Sequence, residues 1–532
     1  MIIVDPVVLG DAACTRPSLK WVWDRAGTLV EVPPDTLAVT YDPSDLSKAP
    51  YALVEPEARN LLSYSEDFTQ AAWGKINVTP VPSSAVAPNG AFAMTLLREA
   101  AGSSGSYLTA GATVQEGDLI TVSVFARKGT GDRGLALIFT NAVVGTNQIV
   151  GFDLSTGAES VISGSPSYTS RKEGDFFRLS MSFVAIAAGG VSIQIRNTRD
   201  GLIGYVGDGE SGACIWGAML QVGALGSYIR TAGSPVTRAA DVIGPTAGLI
   251  YSNVPMVEPP YNAATTYAKD AAVYDPATKI VYWSMQAANV GKPLSDPAWW
   301  NKRTAINRWA MFDDRNSTVT SNPEEIIAVV SARAITQGLF AGALDASEVL
   351  VSMTHPTRGV VYSEKRNLVL PRSGSSFFGW CFNRLRMRTW FLTLKLPVFA
   401  NALVTITIRR PGGVAKCGMC MIGPAIDVGL SLMGLSTELK DYSTTTFYPD
   451  GSSDTIPRGF SKRMSIDLSV ERDRVETIED DLIKRRQKTL VWLGSTMRGD
   501  TMLVGKFSSF RKVIDSYPRS KMALQIEGVL SQ

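Results

Sequence analysis

Short runs in which apolar and polar residues alternate dominate the first half of the chain. Leu119-Ile-Thr-Val-Ser-Val-Phe-Ala, Phe177-Arg-Leu-Ser-Met-Ser-Phe and Val191-Ser-Ile-Gln-Ile-Arg each repeat with period two, the period of a strand with one face toward a core. Turn clusters such as Lys128-Gly-Thr-Gly and Asp153-Leu-Ser-Thr-Gly157 bound these runs. No helical pattern long enough for a βαβ crossover lies between them, so the spacing predicts an antiparallel sandwich, with a jelly roll as the natural form. From Gly244 to Pro260 the chain carries four prolines and little periodicity, which marks a linker. Residues 261–312 then gather Tyr261, Tyr267, Tyr274, Tyr282, Trp283, Trp299, Trp300, Trp309 and Phe312 into a small aromatic segment. Strand signals return afterwards, in Val404-Thr-Ile-Thr-Ile-Arg, Met464-Ser-Ile-Asp-Leu-Ser-Val and Met522-Ala-Leu-Gln-Ile-Glu.

One segment breaks the strand pattern. In Asp473-Arg-Val-Glu-Thr-Ile-Glu-Asp-Asp-Leu-Ile-Lys-Arg-Arg the apolar Val475, Ile478, Leu482 and Ile483 fall on one helical face and acids precede bases, as the helix dipole favours. A second helix is expected over 323–333. The expected architecture is mainly β and multi-domain: an antiparallel jelly-roll sandwich, a small aromatic β module and a C-terminal β-sandwich with one crossover helix. The boundaries are a lead-in or docking segment 1–54, the jelly roll 55–245, a linker 246–260, the aromatic module 261–312 and a C-terminal sandwich 313–532.

Composition narrows the classes of function. The 532 residues are 45% hydrophobic and 19% charged, which is globular, and too long for one ordinary core. The net charge is +3 and no run of five basic residues occurs, so nucleic acid is not an expected partner. Lys462-Arg463 and Lys484-Arg485-Arg486 are read as solvated faces or a helix end. Five cysteines spread over the chain, Cys14, Cys214, Cys381, Cys417 and Cys420, make no disulfide framework. Cys417 and Cys420 have the CxxC spacing, but a zinc site would need a second pair. The start Met-Ile-Ile-Val-Asp-Pro lacks the features of a signal peptide. The apolar stretch Met419–Leu435 is interrupted by Pro424, Asp427 and glycines, so no membrane span is expected.

Catalytic chemistry has few candidates. His355 is the only histidine, which leaves no triad or histidine-based metal site. No phosphate-binding glycine motif appears in its required context. A glycosidase needs two carboxylates at a set separation, and nothing in the spacing selects a pair. The expectation is a protein that is not an enzyme, with no catalytic residue, no metal and no cofactor.

The segment Glu55-Pro-Glu-Ala-Arg-Asn-Leu-Leu-Ser-Tyr-Ser-Glu-Asp-Phe-Thr-Gln-Ala-Ala-Trp73, then Gly151–Gly157, Ile215-Trp-Gly-Ala-Met-Leu-Gln-Val-Gly223 and Ser227-Tyr-Ile-Arg-Thr-Ala-Gly-Ser-Pro-Val-Thr-Arg-Ala-Ala-Asp241 form four ordered blocks. They resemble a carbohydrate-binding-module-like jelly roll that recurs in bacteriophage tail and appendage proteins. The chain departs from the usual pattern in reading Pro-Glu-Ala-Arg-Asn. Upstream, Thr15-Arg-Pro-Ser, Asp24-Arg-Ala-Gly27 and Tyr41-Asp-Pro resemble the lead-in that precedes this module. Tyr261-Asn-Ala-Ala-Thr-Thr-Tyr267, Ala272-Val-Tyr274, Val281-Tyr-Trp283 and Asp296-Pro-Ala-Trp-Trp300 resemble small chitin-binding modules, with Ala-Lys-Asp in place of the usual glycine-aspartate turn. Ile422-Gly-Pro, Lys440-Asp-Tyr-Ser, Ile456–Arg463 and Leu524–Leu530 are similar to a C-terminal domain of phage tail-associated proteins.

Sugars are recognised by flat rings laid on their apolar faces, with polar groups holding the hydroxyls. Tyr267, Tyr274, Tyr282, Trp283, Trp299 and Trp300 are the candidates for such a surface, with Tyr205, beside Asp208 in the Gly204–Glu210 loop, as a further candidate for a ligand or calcium. The competing expectation is that these rings fill the core of a module too small to build one from aliphatics, and that turn chemistry accounts for the Tyr205 loop. Trp216 is expected in the core, and Trp73 and Phe68 at a strand edge. The resemblance implies a structural component of a phage virion, at the tail tip or baseplate, assembled in the host cytoplasm. Its expected partners are other tail or baseplate proteins, further copies of itself as a homo-oligomer and, during adsorption, host cell-surface polysaccharide. The rival expectations are a purely architectural tail, neck or head-fibre protein, and a polysaccharide depolymerase, for which no β-helical repeat is visible.

Overall fold

The computed structural model describes all residues except 91, 92, 314, 316, 371–376, 378–381, 383–385, 497, 498, 514–517 and 530–532. The chain is mainly β and forms two compact units, one of Ala13–Gly244 and one of Met1–Ala12 with Pro245–Gln532. Apart from Gly10–Asp11 beside Gly248–Ser252, every described strand ladder is antiparallel.

The Ala13–Gly244 unit contains two six-stranded sheets. One is ordered Val78–Val86, Ala93–Glu99, Gly212–Val222, Leu119–Thr130, Phe176–Val184, Ser167–Glu173; the other Glu159–Ser163, Gln148–Phe152, Gly134–Thr140, Gly189–Thr198, Tyr107–Val114, Gly74–Ile76. With the eight central strands counted in chain order, the sheets read 1-8-3-6 and 2-7-4-5, which is the jelly-roll order. The expected alternation builds its interior: Ile120, Val122, Val124, Leu179 and Met181 from one sheet meet Leu135, Leu137, Phe139, Val150, Ile193 and Ile195 from the other. Phe68 and Trp73 lie in this interior, 5.2 Å apart, rather than at an edge.

The alternation predicts an outer face open to solvent, and there the structure differs. Residues 120–126 are buried on both faces. The hairpin Lys20–Trp23 and Leu29–Val32 covers the outer side, placing Trp23 and Leu29 against Phe125, Trp216, Tyr228 and Met94. Residues 13–54 are therefore part of the jelly-roll unit, while residues 1–12 belong to the other.

In that other unit the core is layered. A six-stranded sheet (Gly10–Asp11, Gly248–Ser252, Thr320–Ser331, Leu403–Cys417, Glu348–His355, Gly359–Asn367) packs on a three-stranded sheet (Trp390–Thr393, Gly338–Gly342, Met419–Gly423) through Ile326, Val349, Val351 and Ile406 against Leu339, Ala341 and Ile422. The alternate residues Phe340 and Met421 turn to the opposite side and meet Val4 and Val491 of an eight-stranded sheet. In that sheet Ile2–Val4 is inserted between Ala425–Asp427 and Leu490–Leu493. Helix α1, Val475–Lys484, closes the far side with Val475, Ile478 and Leu482 buried. Ile483, expected on the same face, is 47% exposed.

Two further expectations are corrected. Residues 323–333 are not a helix: Thr320–Ser331 is a strand, because β-branched Ile326, Ile327, Val329 and Val330 suit a sheet buried on both faces. Pro323 is accommodated where the pairing register shifts, next to Glu324 at positive φ. Within the stretch read as a linker, Gly248–Ser252 is a paired strand. Its prolines, Pro245, Pro255, Pro259 and Pro260, flank the strand instead of dissolving it.

Candidate functional site

The aromatic segment folds as a three-stranded sheet of Ala272–Tyr274, Ile280–Ser284 and Trp300–Ala305. Strand alternation divides its rings. Val273, Tyr282 and Trp300 share the inner face, where Tyr267 joins them; Tyr267 and Tyr282 are 8% and 9% exposed and Trp300 is 3%. Tyr261, Tyr267 and Trp300 pack edge and face at centroid separations of 5.4–6.1 Å. Their polar atoms are occupied: Tyr261 Oη and Trp300 Nε1 both donate to the Lys292 carbonyl, and Tyr267 Oη donates to the Asn262 carbonyl. Tyr267, Tyr282 and Trp300, expected as ligand-contacting rings, are thus buried and form the core that so small a module lacks aliphatics to build.

On the other face, Val281 enters the unit's main core and Tyr274 packs half-buried beside it. Trp283, next but one along the strand, emerges 42% exposed, followed by Met285 at 47%. Trp299 is half-buried against the inner cluster. The Arg303 guanidinium lies 4.2 Å from the Trp283 ring centroid, and Lys292 Nζ lies 5.0 Å from that of Trp299. Trp283, with Met285 and Arg303 beside it, is thus the part of the predicted surface that solvent reaches.

Tyr205 occupies a different setting from the exposed ring expected of it. It is half-buried, its hydroxyl donates to Glu99 Oε2 at 2.7 Å and its ring lies under Arg133 at 5.1 Å. Arg133 grips the buried Glu99 carboxylate through Nε and Nη2 at 3.0 and 2.6 Å. Asp208 accepts from Arg133 and from the Ser211 hydroxyl, the Ser211 amide and the Glu210 amide, which hold its carboxyl below the usual range. Burial and Glu99 push the Tyr205 hydroxyl upward. The cluster braces a loop, and no group of three metal-ligating side chains occurs among the described residues.

A second constellation was not anticipated. Arg16, Lys20, Glu55, Ser227, Arg238 and Asp241 come from the lead-in and from the first and last blocks of the jelly-roll motif, and they meet inside the unit. Arg16 and Lys20 bond the two oxygens of Asp241 at 2.8 and 2.6 Å, all three side chains being fully buried. Glu55 accepts from Ser227 and pairs with Lys20 at 3.0 Å and Arg238 at 3.2 Å. Burial would raise the Glu55 carboxyl, but Lys20, Arg238 and Ser227 outweigh it and bring it to about 2. No local signal in the sequence marks this convergence: the blocks that supply it carry several other charged and polar residues, such as Glu57, Arg59, Glu66 and Arg230.

Beside this network, Trp21, Trp23, Tyr51, Phe125 and Tyr228 wall a cavity of about 200 Å³ that also admits Glu173 and Arg178. Trp23 Nε1 donates to Glu173 at 3.2 Å, and Arg178 stacks 5.3 Å from Phe125 while donating to the Gly226 carbonyl. Burial pushes the Glu173 carboxyl up. Trp216 is core as expected, 2% exposed and 4.7 Å from Tyr228.

Cys417, the last residue of strand Leu403–Cys417, and Cys420, within strand Met419–Gly423, are buried free thiols, Cys417 contacting the Met419 carbonyl at 3.4 Å. Burial raises Cys417 to about 12 and Cys420 well above its ordinary value, so both are protonated and poor ligands at neutral pH. Cys381 lies outside the described residues. His355 ends a strand, its Nδ1 beside Thr357 and its ring 5.1 Å from Phe399. No described helix is long and apolar enough to cross a membrane.

No family model matches the chain, and no curated protein matches it. Solved structures that it resembles include a cycloisomaltooligosaccharide glucanotransferase of Paenibacillus sp., complexed with cycloisomaltoheptaose, at 11% identity and a TM-score of 0.17 over 66% of this chain. Another is a GH78 family rhamnosidase of Bacillus sp. GL1, at 8% identity and 0.18 over 76%. The chain spans only 45% and 36% of those two proteins. Likeness at this level carries no argument about the activity of this chain.

Proposed function

We propose that this protein is a non-catalytic structural component of a bacteriophage virion, at the tail tip or baseplate, that contacts a host-surface glycan through the aromatic module. The assignment to a virion rests on the four sequence blocks of the jelly roll and on the looser C-terminal resemblance. The observation that carries glycan contact is the partition of the aromatic module. Tyr267, Tyr282 and Trp300 suffice for its core, yet Trp283 is held outward on a paired strand, where an apolar ring has no packing reason to stand. A rigid, sheet-mounted indole is the kind of surface a pyranose stacks on, and many copies on one particle would convert a weak contact into avidity.

The test is binding of the full chain to polysaccharides purified from a panel of bacterial envelopes, with Trp283→Ala beside it. Saturable binding that falls at least tenfold in the variant, at unchanged melting temperature, is the expected result. Undiminished binding by Trp283→Ala would remove the indole from the site. The absence of any binding by the folded chain would favour a purely architectural role.

A further inference from the structure

The two indoles of the aromatic module that solvent reaches, Trp283 and Trp299, are each overlain by a cation, Arg303 and Lys292. Among the described residues neither cation has an ion-pair partner. Arg303 is exposed and sits on the strand that pairs with that of Trp283, two residues beyond Asn301, its direct partner. Residues 261–312 hold six lysines and arginines against three aspartates, a net charge of +3 that equals the formal charge of the whole chain. Two of those aspartates are occupied in turns. Asp275 accepts from the Ala277 amide and the Thr278 hydroxyl, and Asp296 from the Ala298 amide. The third, Asp270, lies in the turn before Ala272–Tyr274. Asp270 is exposed and its amide donates to the Ser284 carbonyl, but none of the three aspartates forms an ion pair with Arg303 or Lys292 among the described residues.

We infer that the saccharide taken at Trp283 is acidic, a polymer bearing carboxylates, and not a neutral chitin-like chain. This rests on the glycan reading above and adds the class of sugar. A neutral pyranose gains from an uncovered ring face, and here one face of each indole is covered by a cation. A uronic acid gains from both groups. Its carboxylate accepts two parallel N–H bonds from the planar Arg303 fork, while its C–H face lies against the remaining indole surface. Because Arg303 is already stacked on Trp283, its guanidinium is oriented before the ligand arrives, which lowers the ordering cost of binding.

The experiment measures binding of the full chain to polygalacturonate, alginate and hyaluronan, to the methyl esters of the same polymers, to chitohexaose and to oligo(dT). The expected result is at least tenfold tighter binding to one or more of the acids than to its neutral ester, weakening as NaCl rises. Arg303→Gln should erase that preference while Lys302→Gln, which removes the same charge from the opposite face of the strand, keeps it. Equal or better binding to the esters or to chitohexaose would overturn the acidic class and leave glycan binding standing. Equal binding to oligo(dT) would overturn it in favour of unselective polyanion attraction. If neither acidic nor neutral polymers bind, both this inference and the glycan reading fall.

Discussion

Asp241 shows what one buried carboxylate controls. It neutralises both Arg16 and Lys20, and its removal would strand two cations where water cannot reach them. Breaking a buried pair from one side typically costs about 3–5 kcal/mol. Asp241→Ala is accordingly expected to lower the melting temperature of the jelly-roll unit sharply, read by calorimetry on Ala13–Gly244. Glu55 adds a pH dependence of known sign. Its carboxyl is lowered to about 2 in the fold, so its contribution is present above the ordinary glutamate value of about 4.3 and is lost as pH falls toward 2. Glu55→Gln should flatten the acid limb of the stability curve over that window; an unchanged limb would mean that other carboxylates set it. None of these partnerships was legible beforehand. The residues were visible as motif positions, but convergence of positions 16, 55, 238 and 241 is a property of strand order that local pattern does not contain. The same limit applies to the rings: period two separates Tyr282 from Trp283, but it does not tell which face is inside.

At the scale of elements, helix α1 was legible because its signal is local. A 3.6-residue apolar stripe and a charge gradient occur within fourteen residues. Its packing gives a paired prediction: Leu482→Ala, fully buried, should cost about 2–5 kcal/mol, whereas Ile483→Ala should change stability by no more than about 0.5 kcal/mol. Equal losses in urea melts would contradict the packed face described above. The 323–333 segment misled because a short β-branched apolar run fits a buried strand and a helix equally well by period. There, burial by two neighbouring layers decided the outcome. Lys20–Trp23 and Leu29–Val32 make the complementary point: their apolar positions looked like an appendage, and they are the cover of a sheet whose alternation alone suggested exposure.

The whole molecule carries a jelly roll of 232 residues, Ala13–Gly244, set into the chain of the other unit. Val242–Ile243 pairs with Cys14–Thr15, so the jelly roll enters and leaves at one place, the arrangement under which an inserted domain is tolerated. Ala13–Gly244 expressed alone is expected to fold, giving one cooperative transition and protected amide protons in Leu119–Thr130. A chain beginning at residue 13 should retain that transition but lose the one belonging to the C-terminal sheets, since Ile3 and Val4 leave two layers together. Retention of both transitions would show that the Ile2–Val4 strand is dispensable.

That strand also sets a clock for synthesis. Ile2–Val4 leaves the ribosome long before one of its neighbours, Leu490–Leu493, has been made. At about 5–20 residues per second, the intervening chain takes roughly 25–100 s to appear. For most of that interval, until its other neighbour Ala425–Asp427 appears, the jelly roll can complete itself while the Ile2–Val4 strand waits unpaired. In a cell crowded with nascent copies, the waiting strand can be captured by the finished sheet of another molecule, joining two chains by exchange of an identical element. Slowed translation would lengthen the exposure and raise the yield of such exchanged dimers.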